Sequence, residues 1–203
     1  MGTLLVTAII IITIIQFERR KISSKEIALI AALSAIAGLG RIPFAGIPNV
    51  QPTTFIVIVS GYVLGPWAGF MVGAVAALAS NFFLGQGPWT PWQMLVWGMA
   101  GASGGFVSKF MPNISRLQMV ILCGLWGYFY GWFINLWFWS AYTYPHSLGS
   151  YIAVCATSFV FDTMHALGNA ALSWMLGKEF INIISRFKRK MTISYTEVKE
   201  EAN

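Results

Sequence analysis

The sequence predicts an all-α integral membrane protein, a bundle of about seven transmembrane helices. Three observations predict it. The 203 residues are 57% hydrophobic and 10% charged, with a mean hydropathy of +0.67. Soluble domains carry about 25% charged residues. Seven apolar segments occupy roughly 2–16, 26–40, 52–64, 67–84, 92–108, 117–140 and 150–177, and a bilayer asks for about 20 apolar residues per helical crossing. Twelve of the thirteen basic residues cluster at the ends of these runs: Arg19, Arg20, Lys21 and Lys25; Lys109 and Arg116; Lys178, Arg186, Lys188, Arg189, Lys190 and Lys199. Backbone groups in lipid must be satisfied within their own segment, so each run is expected to be helical.

The first segment, 2–16, is short and rich in Ile. It has no basic residues before its apolar run and no small-residue cleavage site before Phe17, so an anchor helix is preferred to a signal peptide. With the N-terminus outside the cell, the connections at 17–25 and 109–116 and the tail from 178 fall in the cytoplasm. Arg41 is then the only external basic residue, as the positive-inside bias requires. The expected organisation is an N-terminal helix and basic loop over 1–25, a six-helix membrane domain over 26–178, and a cytoplasmic tail over 179–203. The net charge of +6 resides in the juxtamembrane clusters, which argues against nucleic-acid binding.

The outer connections, 40–52, 85–93 and 141–147, carry Pro, Gly, amides and aromatics with almost no charge. Proline stiffens a loop and glycine lets it turn tightly. Two readings stand. One is an interfacial aromatic belt, which explains Trp and Tyr but explains Asn49, Gln86 and Gln93 poorly. The other is a set of ordered loops that close over a ligand.

Small residues recur at helical spacing: Ala28 with Ala32, Ala31 with Ala35, then Ser34 and Gly38; Gly65, Gly69, Gly73 and Ala77; Gly124, Gly127 and Gly131. Such faces let helices approach closely in lipid. They fit packing within the bundle, and they leave open that one face docks another membrane subunit.

Within the last segment Asp162, His165 and Asn169 share one helix face at i, i+3 and i+7, flanked by Ser158 and Thr163. An ionisable group at depth is costly and faces the interior or a water-filled cavity. Three roles compete: a structural Asp162–His165 hydrogen-bond network, ligand contact or gating, and catalysis or metal binding. Zinc usually takes three or four protein ligands, and the other histidine, His146, lies in a loop. Asn81 ends the fourth segment. Asn135 lies among Trp132, Phe133, Trp137 and Trp139, which could line a cavity or face lipid. Cys123 and Cys155 lack CxxC or Cys/His spacing and read as packing residues. The chain holds no phosphate-binding loop of the GxxxxGKS or GxxxxGKT type, so no ATP site of its own is expected.

The alanine stripe, the Pro-containing loop from Arg41 to Pro52, the Gly-rich helix from Gly65 to Asn81 and the stretch from Ser80 to Met94 carry a resemblance. Over roughly 24–178 the chain resembles the S components, the substrate-binding subunits, of energy-coupling factor (ECF) vitamin transporters, and it looks like a cobalamin or corrinoid branch. The resemblance implies a six-helix bundle that binds one vitamin from outside. Its alanine face would dock on a transmembrane coupling protein that carries two cytosolic ATPases. The 2–16 segment departs from the six-helix pattern.

The expected solute is cobalamin or a corrinoid precursor, with riboflavin, folate or pantothenate as alternatives and no cofactor or metal of the chain's own. The expected binding residues are Arg41, Asn81, Gln86, Trp89, Trp92, Gln93, Asn135, Asp162, His165 and Asn169; Ala28, Ala31, Ala32 and Ala35 are the docking residues. Trp92→Ala is expected to weaken binding without unfolding the bundle. An intramembrane enzyme using Asp162 and His165, or a scaffold subunit that binds no solute, would behave otherwise.

Overall fold

Each apolar run closes into a helix, and polar or glycine signals set the ends. A computed structural model describes residues 2–19 and 22–200, with side chains through Met191. Arg20, Lys21 and the Lys199 side chain, counted above among the basic clusters, lie outside the described residues, as do residues 201–203. The helices are α1 (Gly2–Glu18), α2 (Ser24–Leu39), α3 (Thr53–Leu64), α4 (Pro66–Leu84), α5 (Thr90–Phe110), α6 (Arg116–Tyr142) and α7 (Leu148–Glu200), with a 3-10 turn at Ile42–Phe44. Among the described residues there is no strand.

The caps follow from local chemistry. The Ser23 hydroxyl accepts from the backbone N–H of Glu26 to start α2, and Ser115 and Gln118 form a reciprocal capping box at the start of α6. Proline stands in the first turn of α4 and of α5, where its missing N–H costs nothing. Gly65, at φ 103°, makes the turn between α3 and α4, a conformation that suits glycine alone.

The segment Ser24–Phe44 and the helices Pro66–Leu84 and Arg116–Tyr142 are long and apolar enough to cross a membrane by length and composition. Helix α1, at 17 residues, and α3, at 12, are shorter apolar helices. At 1.5 Å per residue α3 is about 18 Å long. It sits at the centre, with eleven of its twelve residues buried. Phe55, Val57, Ile58 and Val59 pack there against Leu33 and Ala37 of α2, Val72 and Ala76 of α4, and Ala100 of α5.

Gly69 and Gly73 of α4 and Gly127 of α6 are packing residues. A Cβ on Gly69 would strike the backbone of Gly101, one on Gly73 that of Trp97, and one on Gly127 that of Ala166. On α2 the small residues divide. Ser34 and Gly38 face inward, whereas Ala28, Ala31, Ala32 and Ala35 are exposed on the outer side.

The last helix departs from expectation. The tail assigned to 179–203 begins as a continuation of α7, which runs unbroken to Glu200. Ile184 is buried, Phe180 and Ile181 pack on the α3 core, and the Lys188 ammonium donates to the carbonyl of Val63 at 2.6 Å. The bundle therefore extends beyond residue 178. The cause is amphipathic spacing: apolar residues at 180, 181 and 184 face α3 while Asn182 and Ile183 between them are exposed.

Candidate functional site

The polar groups that the bundle buries converge at one end, around Arg41. Helix α2 stops at Leu39, and the 3-10 turn with Pro43 carries the chain outward. Asn49 then takes a left-handed φ of 54°, which Asn tolerates, and the chain turns back to bury Gln51. Arg41 Nε donates to Gln51 Oε1 at 2.7 Å, and its Nη1 donates to Ser80 Oγ at 2.6 Å and Asn81 Oδ1 at 3.2 Å. The guanidinium lies over the Trp97 ring, 4.8 Å from its centroid. Donation from an ionised group and stacking on an indole face are both stronger than neutral contacts.

The network runs on from Asn81. Its Nδ2 donates to Thr90 Oγ1 at 3.0 Å and to Gln93 Oε1 at 2.7 Å, and Gln93 Nε2 donates to the Tyr130 hydroxyl at 2.9 Å. Arg41 is thus tied through α4 and α5 to α6. Beneath it, Trp97 Nε1 donates to Thr54 Oγ1 at 2.9 Å, and Thr54 Oγ1 lies 2.9 Å from His165 Nε2. The Tyr130 ring meets His165 edge to face at 5.0 Å.

A second polar wall is built by α6 and α7. Asn135 Nδ2 donates to Ser158 Oγ at 2.7 Å, and Ser158 Oγ donates to Asp162 Oδ2 at 2.8 Å. Gly131 faces this carboxylate, and a Cβ there would overlap it. Between the two walls is a cavity of about 400 Å³. Arg41, Gln51, Gln93 and Tyr130 line one side, and Asn135 and Asp162 line the other.

The expected binding residues therefore separate. Arg41, Gln93, Asn135 and Asp162 line the cavity. Asn81 lies behind Arg41 and holds it. His165 and Asn169 lie deeper and are fully buried. Asp162 and His165, although on one face, bond to Ser158 and Thr54 rather than to each other. The Asn169 side chain has no hydrogen-bond partner among the described residues, and Ser173, one turn further on, lines a second cavity near Arg116 and Lys178.

Gln86, Trp89 and Trp92 do not line the cavity. Gln86 is exposed, donates to the carbonyl of Leu78 at 3.3 Å and accepts from Thr90. Trp89 packs edge-on against Trp137 at 5.8 Å. Trp92 is buried against Val6 and Ile10 of α1, and its Nε1 donates to Thr3 Oγ1 at 3.3 Å. Trp92→Ala is accordingly expected to cost roughly 3 kcal/mol and to free α1 for proteolysis while leaving solute affinity unchanged. Limited proteolysis beside equilibrium binding checks this, and weakened binding with α1 still protected would return Trp92 to the site.

Gln51, Tyr130, Thr54 and Trp97 are parts of the site that composition does not single out. An amide in an apolar Pro-containing loop was a signal for Gln51. Thr54, beside Thr53 at the start of an apolar run, and Trp97, within another, carry none. Among the described residues no three His, Cys, Asp or Glu side chains converge as a metal site would need.

The family described as "ECF transporter, substrate-specific component" matches residues 25–185. The chain belongs to this family. That bears out the resemblance to the S components carried by the alanine stripe, the 41–52 loop and the 80–94 stretch, and α1 lies outside the matched range. An ECF substrate-specific component is a subunit of a transporter, and this member shares sequence with UPF0397 proteins. One from Vibrio atlanticus (strain LGP32) is 30% identical over 101 residues, 47% of this chain and 54% of the relative. One from Aliivibrio salmonicida (strain LFI1238) is 30% identical over 105 residues, 49% of this chain and 55% of the relative. One from Photobacterium profundum is 30% identical over 100 residues, 47% and 52% of the two chains. The chain spans about half the length of the curated relatives it matches. No solved structure matches the chain.

Proposed function

We propose that this chain is the high-affinity vitamin-binding subunit of an ATP-driven importer in the cell membrane, and that its solute occupies the Arg41–Asp162 cavity. The observation that carries the reading is that cavity, where polar side chains from α5, α6, α7 and the 40–52 loop converge at the end of the bundle opposite Lys109, Arg116 and Lys188. The basic end is cytoplasmic by the positive-inside bias, so the cavity opens outward, with the N-terminus outside and the C-terminus in the cytoplasm. A transmembrane coupling protein and two cytosolic ATPases supply the energy.

The volume bears on the solute. Ligand sites run from about 300 to 1,000 Å³, so a cavity of about 400 Å³ suits a vitamin of riboflavin, folate or pantothenate size. A corrinoid is the second reading. Its support is the uncharged, aromatic character of the 85–93 and 141–147 connections, weakened because Gln86, Trp89 and Trp92 point elsewhere. Equilibrium binding of the purified chain across a panel of vitamins that includes cyanocobalamin discriminates them. Failure of every member to bind would count against solute binding itself.

The exposed Ala28, Ala31, Ala32 and Ala35 face is the surface for the coupling protein, since small residues allow close helix approach. Ala32→Trp is expected to abolish uptake in cells that hold the whole transporter while leaving solute binding intact. Normal uptake in that variant would move the docking face elsewhere.

A further inference from the structure

The two walls of the cavity are chemically opposite, and each is incomplete. On the α6–α7 wall an ionised Asp162 sets the direction of the side-chain hydrogen bonds. An ionised carboxylate only accepts, so Ser158 donates its single hydroxyl hydrogen to Asp162 Oδ2 at 2.8 Å. The carbonyl of Cys155, at 3.2 Å from the same hydroxyl, is the longer and uncharged alternative. Ser158 Oγ must then accept, and Asn135 Nδ2 donates to it at 2.7 Å. One Asn135 N–H and the Ser158 hydroxyl are spent within this wall. What remains is mostly acceptor: Asn135 Oδ1 and Asp162 Oδ1 receive no hydrogen bond among the described residues, beside one further N–H of the Asn135 amide.

Asp162 is 2% exposed, and no cationic side chain among the described residues pairs with it, Arg41 included. A carboxylate at membrane depth without a counter-charge is costly, and in a membrane protein it faces a cavity and marks a solute or ion path. The fold makes room for it all the same, because only glycine at 131 clears the carboxylate. On the other wall Arg41 spends Nε and Nη1 on Gln51, Ser80 and Asn81, and Nη2 donates to no group among the described residues. A guanidinium only donates.

We propose that Asp162 and Asn135 form an acceptor-rich subsite, centred on the carboxylate, for a protonated, N–H-bearing group of the solute, and that Arg41 meets an acceptor-bearing part of the same molecule. The solute is thus a cation or zwitterion with a nitrogen donor at one end. This rests on the reading of the cavity as the solute site, and it narrows that reading to one chemical class. A purely anionic vitamin would set its charge against Asp162. A neutral one would leave the carboxylate unpaired.

The test uses the full chain in lipid nanodiscs, with equilibrium binding of thiamine, pyridoxamine, pyridoxine, pantothenate, riboflavin and cyanocobalamin. Pyridoxamine and pyridoxine differ in an aminomethyl against a hydroxymethyl group, so their ratio reads the subsite in the unaltered protein. The expected result is preference for solutes with a protonated nitrogen, pyridoxamine above pyridoxine. Asp162→Asn is expected to lose about 10- to 100-fold in affinity for them, the range of a hydrogen bond to a charged group, with its melting temperature confirming the fold.

A preference for pantothenate, riboflavin, cyanocobalamin or pyridoxine would overturn the subsite and leave the cavity reading standing. So would unchanged affinity in Asp162→Asn. Binding of none of the six would overturn the cavity reading, and the subsite with it.

Discussion

Arg41→Leu is expected to abolish solute binding and to lower stability by about 2–4 kcal/mol. The guanidinium joins the 40–52 loop, α4 and α5. It donates to Gln51, Ser80 and Asn81 and rests on Trp97. Removing it leaves the Gln51 and Asn81 carbonyl oxygens without their donor. A buried acceptor so stranded costs about 1–3 kcal/mol, and neighbouring losses do not simply add. Asn81 then loses its fixed orientation, and with it the contacts that set Gln93 and Tyr130 in the cavity wall. Binding falls through the wall as well as through the lost donor.

Arg41→Lys separates charge from geometry. It keeps the positive charge but cannot reproduce a planar fork that serves the 40–52 loop and α4 at once. It should fold nearly as well as the parent and bind distinctly more weakly. Melting temperature and equilibrium binding on the same preparation check both variants, and native affinity in Arg41→Leu would remove Arg41 from the site.

Much of this end of the molecule was legible in the sequence, for a physical reason. Arg41, Asn81, Gln93, Asn135 and Asp162 stand out because a polar group in an apolar run must have a partner or a purpose. Composition does not say which way a side chain points. Trp92 and Gln93 are adjacent on α5, yet successive residues on a helix project about 100° apart. Gln93 turns to Tyr130 and the cavity, and Trp92 turns to α1. Trp89 and Gln86 misled in the same way, since aromatic and amide character suits a lid and a belt equally. The bundle's extension past residue 178 was hidden because hydropathy averages over a helix, and the charges from Arg186 onward dilute the face that Phe180, Ile181 and Ile184 bury. The partition of the small-residue stripes could not be read either. Spacing reveals that a face is small, and only the fold reveals that Gly69 and Gly73 are covered while Ala28 and Ala32 are open.

Gly101→Leu is expected to be the most damaging single change in the bundle, costing more than about 4 kcal/mol and leaving little folded protein in the membrane. Helices α3, α4 and α5 meet where Gly61, Gly69 and Gly101 face one another. A Cβ on Gly101 would overlap the backbone of Gly69, and one on Gly61 would overlap the backbone of Gly101. Backbone cannot rotate aside as a flexible side chain can, so the helices must part. Parting α4 from α5 separates Ser80 and Asn81 from Thr90, Gln93 and Trp97, which together hold Arg41. The same crossing that packs the membrane core therefore sets the solute wall, and a partial repacking should show as lost binding before it shows as lost fold. Gly101→Ala grades the effect, with an intermediate melting temperature and affinity reduced more than stability. Gly46→Ala is the control, because nothing lies within 4 Å of its Cβ position. Yield in membranes, melting temperature and binding across the three variants test the coupling. A Gly101→Leu protein that melts and binds like the parent would show that the three-helix crossing does not position the cavity.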